Sequence, residues 1–175
     1  MLVEIRRSIP NCDLVVGTIL DSTSDFVLIQ RLDDSVFYDG YALFRKKDIS
    51  EIRDVSGEGF QTRALDLMDS FPVYPDGLDV SSLEALVRTF ARIFPLVTVH
   101  VEQRNPNVCF IGRIVELNNN DLILRLINEN ARFKKKLKKF ELSKITRFEW
   151  GGLYEKALDI AAEYTGGNPE EEGLD

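Results

Sequence analysis

The chain is short of the residues that most chemistry needs. Its 175 residues include one histidine and two cysteines, too few for a zinc site of ordinary ligand spacing. No GxSxG elbow and no glycine loop of the phosphate-cradling type occurs, so nucleophilic and phosphoryl-transfer chemistry have no foothold. Asp21, Asp25, Asp33 and Asp34 cluster in predicted hairpin turns, but the spacing and closing glutamate of a calcium loop are missing. They read as solvated turn acids. No apolar run approaches the ~20 residues that span a bilayer. Glu4, Arg6 and Arg7 are unlike the start of a signal peptide. Cations are scarce too: 22 Lys and Arg against 29 Asp and Glu leave a net charge of −7, which argues against generic binding to nucleic acid or an anionic membrane. The expectation is a non-enzyme with no cofactor and no membrane contact. Cys12 and Cys109 read as reduced thiols of a reducing, cytoplasmic compartment.

What the chain does have is apolar content and internal order. It is 44% hydrophobic and 29% charged, as soluble globular proteins are. It also reads as a duplicated module. Ile49–Leu67 falls without a gap on Leu142–Ile160, matching IleSerGluIle to LeuSerLysIle and ArgAlaLeuAspLeu to LysAlaLeuAspIle. Val3 and Ile5 fall on Val99 and Val101, ValValGlyThrIle (15–19) on PheIleGlyArgIle (110–114), and AspPheValLeuIle (25–29) on AspLeuIleLeuArg (121–125).

Each copy reads as five short strands joined by turns, and then a helix. In the first copy the runs begin at Leu2, Leu14, Phe26, Val36 and Ile49. Gly40 inside the fourth suggests a bend. Phe60, Ala64, Leu67, Met68 and Phe71 recur at helical spacing and predict an apolar stripe. In the second copy the predicted strands are 96–102, 109–117, 122–128, 132–140 and 145–150, before a helix carrying Leu153, Ala157, Leu158 and Ala161. Between the copies Ser82–Phe94 predicts a joining helix, with Ser81 and Glu84 as its capping box and Leu83, Leu86, Val87, Phe90 and Phe94 on its apolar side. The expected organisation is a first barrel plus helix (1–71), a connector and linking helix (72–95), a second barrel plus helix (96–165) and a mobile acidic tail (166–175). The fold class is mainly β with α.

The strand order, the strand lengths and the glycine-bearing curved strands of each copy resemble SH3-like small barrels, Sm-like proteins among them. That resemblance implies two tandem five-stranded barrels, each followed by a helix. It also brings RNA into view, since Sm-like proteins often bind RNA as rings, although no Sm-type RNA-contact signature can be placed here. The stretch IleThrArgPheGluTrpGlyGlyLeuTyrGluLysAlaLeu (145–158), with PheIleGlyArgIle, resembles a set of uncharacterised bacterial proteins and implies no activity.

The strongest local signal is ArgPheLysLysLysLeuLysLysPhe (132–140), six cations in nine residues with no acid. The rest of the chain therefore carries −13. Arg132, Lys134, Lys135, Lys136, Lys138 and Lys139 form a candidate patch for phosphates or an acidic protein. Lysines on an exposed strand also guard an edge against aggregation. On a strand Phe133 and Leu137 share a face with Lys135 and Lys139 unless a bulge shifts the register. The matching stretch of the first copy, ValPheTyrAspGlyTyrAlaLeuPhe (36–44), is aromatic and acidic. Phe37, Tyr38 and Tyr41 are candidates to stack on bases or anchor a partner, though such stripes are more often core. Opposite charge on the two stretches suggests self-association as well. His100, between Val99 and Val101, reads as the solvent side of a strand. The resulting expectation is a non-catalytic binding or adaptor protein that meets a protein partner, with RNA binding through 132–140 as the alternative.

Overall fold

The computed structural model describes residues 1–57 and 59–164. The expected tail at 166–175 lies outside the described residues. The first repeat contains β1 (Leu2–Arg7), β2 (Val15–Ser22), β3 (Phe26–Leu32), β4 (Tyr38–Arg45), β5 (Ile49–Asp54) and α1 (Gly59–Leu67). The linking helix is α2 (Leu83–Ile93). The second repeat contains β6 (Val97–His100), β7 (Cys109–Leu117), β8 (Asp121–Ile127), β9 (Phe133–Glu141), β10 (Arg147–Trp150) and α3 (Leu153–Tyr164). β4 starts later than the aromatic run suggests, because Val36 sits in the turn with φ 63°.

The expectation of two separate barrels needs correcting. All ten strands join one antiparallel sheet in the order β5-β1-β2-β3-β4-β10-β6-β7-β8-β9, and the sheet is not closed. The merger happens where β10 pairs with β4, setting Arg147, Phe148, Glu149 and Trp150 opposite Phe44, Leu43, Ala42 and Tyr41. Gly40 makes this junction possible. It holds φ +72°, and a Cβ there would lie 2.4 Å from the Trp150 carbonyl oxygen. Any other residue would be strained and would push β10 away.

Side chains alternate across β4, so its two faces serve two cores. Ala42 and Phe44 join Val3, Ile5, Val15, Val27 and Ile29 in the first repeat's own core. Tyr41 and Leu43 face the other way, with Phe26 and Leu28, into a larger core shared with α2 and the second repeat. Leu86, Val87 and Phe90 of α2 are fully buried there, beside Trp150 and Phe148. The linking helix thus packs on both repeats. Its cap is Ser82, whose hydroxyl accepts from the Ala85 N–H at 3.0 Å, one residue beyond the expected Ser81.

α1 departs from its expected stripe. Phe60, Leu67, Met68 and Phe71 are exposed and only Leu65 of the helix is buried. Leu65 and Ala64 seat the helix on Leu2, Leu32, Val36 and Val55, a small patch at one margin of the stripe that leaves the rest of it exposed.

Hydrogen-bond register also corrects the sequence alignment of the repeats. Gly17 and Gly112 hold the same place: a Cβ on either would lie 2.4–2.5 Å from a carbonyl oxygen of the next strand, that of Gln30 or Arg125. Both repeats carry register shifts just after this point, between Ile19 and Asp21 and between Ile114 and Glu116. From Ile29 opposite Ile19 and Leu124 opposite Ile114, Ala42 then corresponds to Lys138 and Phe44 to Phe140. Ile52 corresponds to Phe148, because each faces the central residue of its first strand, Ile5 or Val99. The gapless match of Ile49–Ile52 to Leu142–Ile145 followed residue likeness. The structure turns Leu142–Lys144 into a 3-10 turn whose counterpart is Lys46–Asp48.

Candidate binding edge and cleft

β9 is one outer edge of the sheet, paired on one side with β8 only. The register shifts opposite its start, between Arg125 and Ile127. That shift settles the conflict in the lysine pattern: Phe133 turns into a core under α3 and Phe140 into the shared core. Arg132, Lys134, Lys135, Lys136 and Lys139 are exposed, and Lys138 is half-buried. Lys139 pairs with Asp121 at 2.8 Å. The basic strand is therefore a surface feature with an open backbone edge.

A cleft of about 650 Å3 opens beside it, between β9 and the segment that follows β6. Its walls include Arg104, Val108, Phe110, Lys138, Phe140 and Lys144. The Lys138 ammonium lies 3.7 Å from the centre of the Phe110 ring and 5.5 Å from that of Phe140. Burial, then Arg104 and Lys134, pull its pKa below the ordinary lysine value. Cations this close repel one another; Glu141 also lines the cleft, but among the described residues no carboxylate lies within ion-pair distance of Lys138, Arg104 or Lys144. Arg104, Val108, Phe110 and Lys144 were not legible as site residues, since each reads locally as an ordinary loop or strand residue.

The aromatic candidates of the first repeat separate. Phe37 is exposed, Tyr38 is half-buried with its hydroxyl 2.8 Å from that of Thr18, and Tyr41 is 8% exposed. Tyr41 belongs to the shared core and its hydroxyl donates to the Val73 carbonyl at 3.1 Å. The three do not form one surface, which corrects Tyr41 as a contact residue.

His100 is also misplaced by sequence reasoning. It is 6% exposed, where β10 pairs alongside β6 and sets Arg147 opposite it. It belongs to a charged network that ties the repeats together. Arg7 of the first repeat meets both carboxylate oxygens of Glu102 at 2.5 Å, with both side chains fully buried. The Thr146 hydroxyl donates to Glu102 at 2.7 Å. Arg31 reaches Glu149 at 3.0 Å, and Asp13 joins Arg7 and Arg147 at 3.2 Å each. The Arg147 guanidinium donates to His100 Nδ1 at 3.2 Å, and Nε2 faces Glu149 at 3.3 Å. Alternation of Arg147 and Glu149 with Phe148 and Trp150 was the signal that could have found half of it.

Cys109 stands opposite His100 on the neighbouring strand, so a histidine, a cysteine and a carboxylate do meet. The geometry gives no activated thiol. Both ring nitrogens are occupied by Arg147 and Glu149, and burial, with Glu149 adding to it, raises the Cys109 pKa. Nucleophilic cysteines need the opposite shift. Cys12 and Cys109 are both free thiols.

Burial alone would raise the Glu149 pKa, but the His100 hydrogen bond, Arg147 and Arg31 outweigh it and hold the carboxyl at about 2. A depressed carboxyl stabilises the fold above its unfolded value of about 4.5 and withdraws that stability as pH falls toward the folded value. Urea midpoints should therefore drop between about pH 4.5 and pH 2. Glu149→Gln should lower stability at neutral pH and flatten that limb. An unchanged slope in the variant would show that other carboxylates carry the acid limb.

No family model, curated protein or solved structure matches the chain.

Proposed function

We propose that this protein is a non-catalytic interaction module that docks an acidic, extended segment of a partner protein along β9. The observation that carries the proposal is the edge itself. β9 is an outer strand of nine residues, and an outer strand has unpaired backbone groups that an added strand satisfies. The counterpart of β9 in the first repeat is β4, whose edge is already filled in this way by β10. The cations on β9 favour a negatively charged guest. In this reading each repeat is an opened SH3-like, Sm-like barrel, a view supported by the shared strand order and the matching register shifts.

A second copy of the chain is a poor guest. On its outer strand β5 the residue that corresponds to Glu149 is Arg53, which would stand opposite Lys138; like charges directly across strands repel. Single-stranded RNA is the rival ligand for the same lysines, but it must approach a chain that carries −13 elsewhere.

Fluorescence anisotropy separates these. A labelled peptide of alternating Thr and Glu should bind at low salt, weaken at physiological salt, and lose about tenfold or more in affinity when Lys134, Lys136 and Lys138 are changed to Glu. Labelled single-stranded RNA that binds more tightly than the peptide, with the same variant sensitivity, would replace this reading with a nucleic-acid one.

A further inference from the structure

Each repeat sets a cation over an equivalent ring, Arg7 of β1 in the first and Lys138 of β9 in the second, and among the described residues only Arg7 has an ion-pair partner. In the first repeat Arg7 lies over the Phe44 ring at 5.5 Å. In the second, Lys138 lies over Phe140, the counterpart of Phe44, also at 5.5 Å. Arg7 is matched twice. Asp13 of its own repeat reaches it at 3.2 Å, and Glu102, delivered by the neighbouring repeat, reaches it at 2.5 Å. The second repeat has lost the first of these carboxylates. Asp13 stands two residues before Val15, and the residue two before Phe110, the counterpart of Val15, is Val108. It also lacks the second, because among the described residues no strand pairs with the outer side of β9. What remains is the cleft of about 650 Å3, where Lys138, Arg104 and Lys144 outnumber the single acid on its walls, Glu141, and Lys139 is already paired with Asp121.

From this juxtaposition we infer that the cleft is a carboxylate subsite, which takes one Glu or Asp side chain of the segment that adds to β9. The inference rests on the docking reading above and gives it a specific contact. At the first junction the neighbour supplies two things, a strand (β10) and a carboxylate (Glu102). A guest on β9 supplies the same pair, with Lys138 as the cation at the centre and Arg104 and Lys144 at the rim. A carboxylate entering here removes the like-charge crowding of Lys138 with Arg104 and Lys134, the crowding that with burial holds its pKa down. The Phe110 and Phe140 rings keep water from one side of the pair, which strengthens a charge-assisted hydrogen bond.

The test compares two peptides on two proteins. Alternating Thr–Glu and Thr–Gln peptides are titrated into the wild-type chain and into Lys138→Met, with binding read by calorimetry and by amide NMR shifts. Wild type should prefer the Thr–Glu peptide by about tenfold or more, with the largest amide shifts at Phe110 and Lys138. Lys138→Met should remove most of that preference, read as the ratio of the two peptides' affinities for the variant. Arg104→Gln, on an exposed loop, should reduce the preference by a smaller factor, and it carries the test if the methionine variant fails to fold. Equal binding of the two peptides to wild type overturns the carboxylate subsite while leaving strand addition standing. A preference that survives both substitutions overturns the assignment to this cleft. Failure of both peptides to bind overturns strand addition and the subsite with it.

Discussion

Replacing Glu102 with alanine should destabilise the fold by about 3–5 kcal/mol, the usual cost of breaking a buried ion pair by removing one partner. Arg7 and Glu102 have fully buried side chains. Without Glu102, the Arg7 guanidinium keeps, among the described residues, only the exposed Asp13 as an ion-pair partner, beside the Phe44 ring. Thr146 loses the nearer of the two acceptors for its hydroxyl and keeps the His100 carbonyl at 3.2 Å. Domains of this size have total stabilities of about 5–15 kcal/mol, so the loss is a large share of the whole. Urea unfolding followed by Trp150 fluorescence measures it. The double change Arg7→Met with Glu102→Leu should recover much of the loss, because two apolar side chains need no partners. An Ala variant within about 1 kcal/mol of wild type would show that the pair is not the clamp between repeats that its burial implies.

Phe90→Ala should cost a similar amount, about 3–5 kcal/mol, for a different reason. Phe90 is fully buried and stacks on Trp150 at 4.5 Å, with Tyr41 at 5.4 Å and Phe94 at 6.0 Å. Those rings come from the first repeat, the linking helix and the second repeat. A cavity there is felt by both repeats at once, so the protein should still unfold in one step, with fluorescence and circular dichroism changing together. Two separated transitions, with one repeat surviving the other, would mean that the shared core does not couple them.

Local patterning made most elements legible. Alternation marked the strands, the Leu83 to Phe94 spacing marked α2, and residue identities exposed the duplication. Long-range pairing was not legible. Nothing in Arg147–Trp150 announces that its partner is Tyr41–Phe44, because pairing between strands a hundred residues apart is set by the whole sheet. That one unforeseen junction accounts for two misreadings: it merged the two expected barrels and buried His100 beside β10. The basic strand itself was plain in the sequence. The cleft was not, because Arg104, Phe110 and Lys138 come from separate segments and only the fold brings them together. α1 shows the opposite failure: Phe60, Leu67, Met68 and Phe71 have helical spacing, yet the helix seats by Leu65.

Amide hydrogen exchange along β9 tests strand addition most directly. In the free protein the outward-facing amides of Phe133–Glu141 should exchange quickly, as those of an open edge do, while the inward-facing ones bonded to β8 are protected. Saturating Thr–Glu peptide should slow the outward-facing set by about tenfold or more and leave the outer amides of β5 unchanged. If the peptide binds while the outward-facing β9 amides exchange as before, the lysines are a charged surface only and no strand is added to this edge.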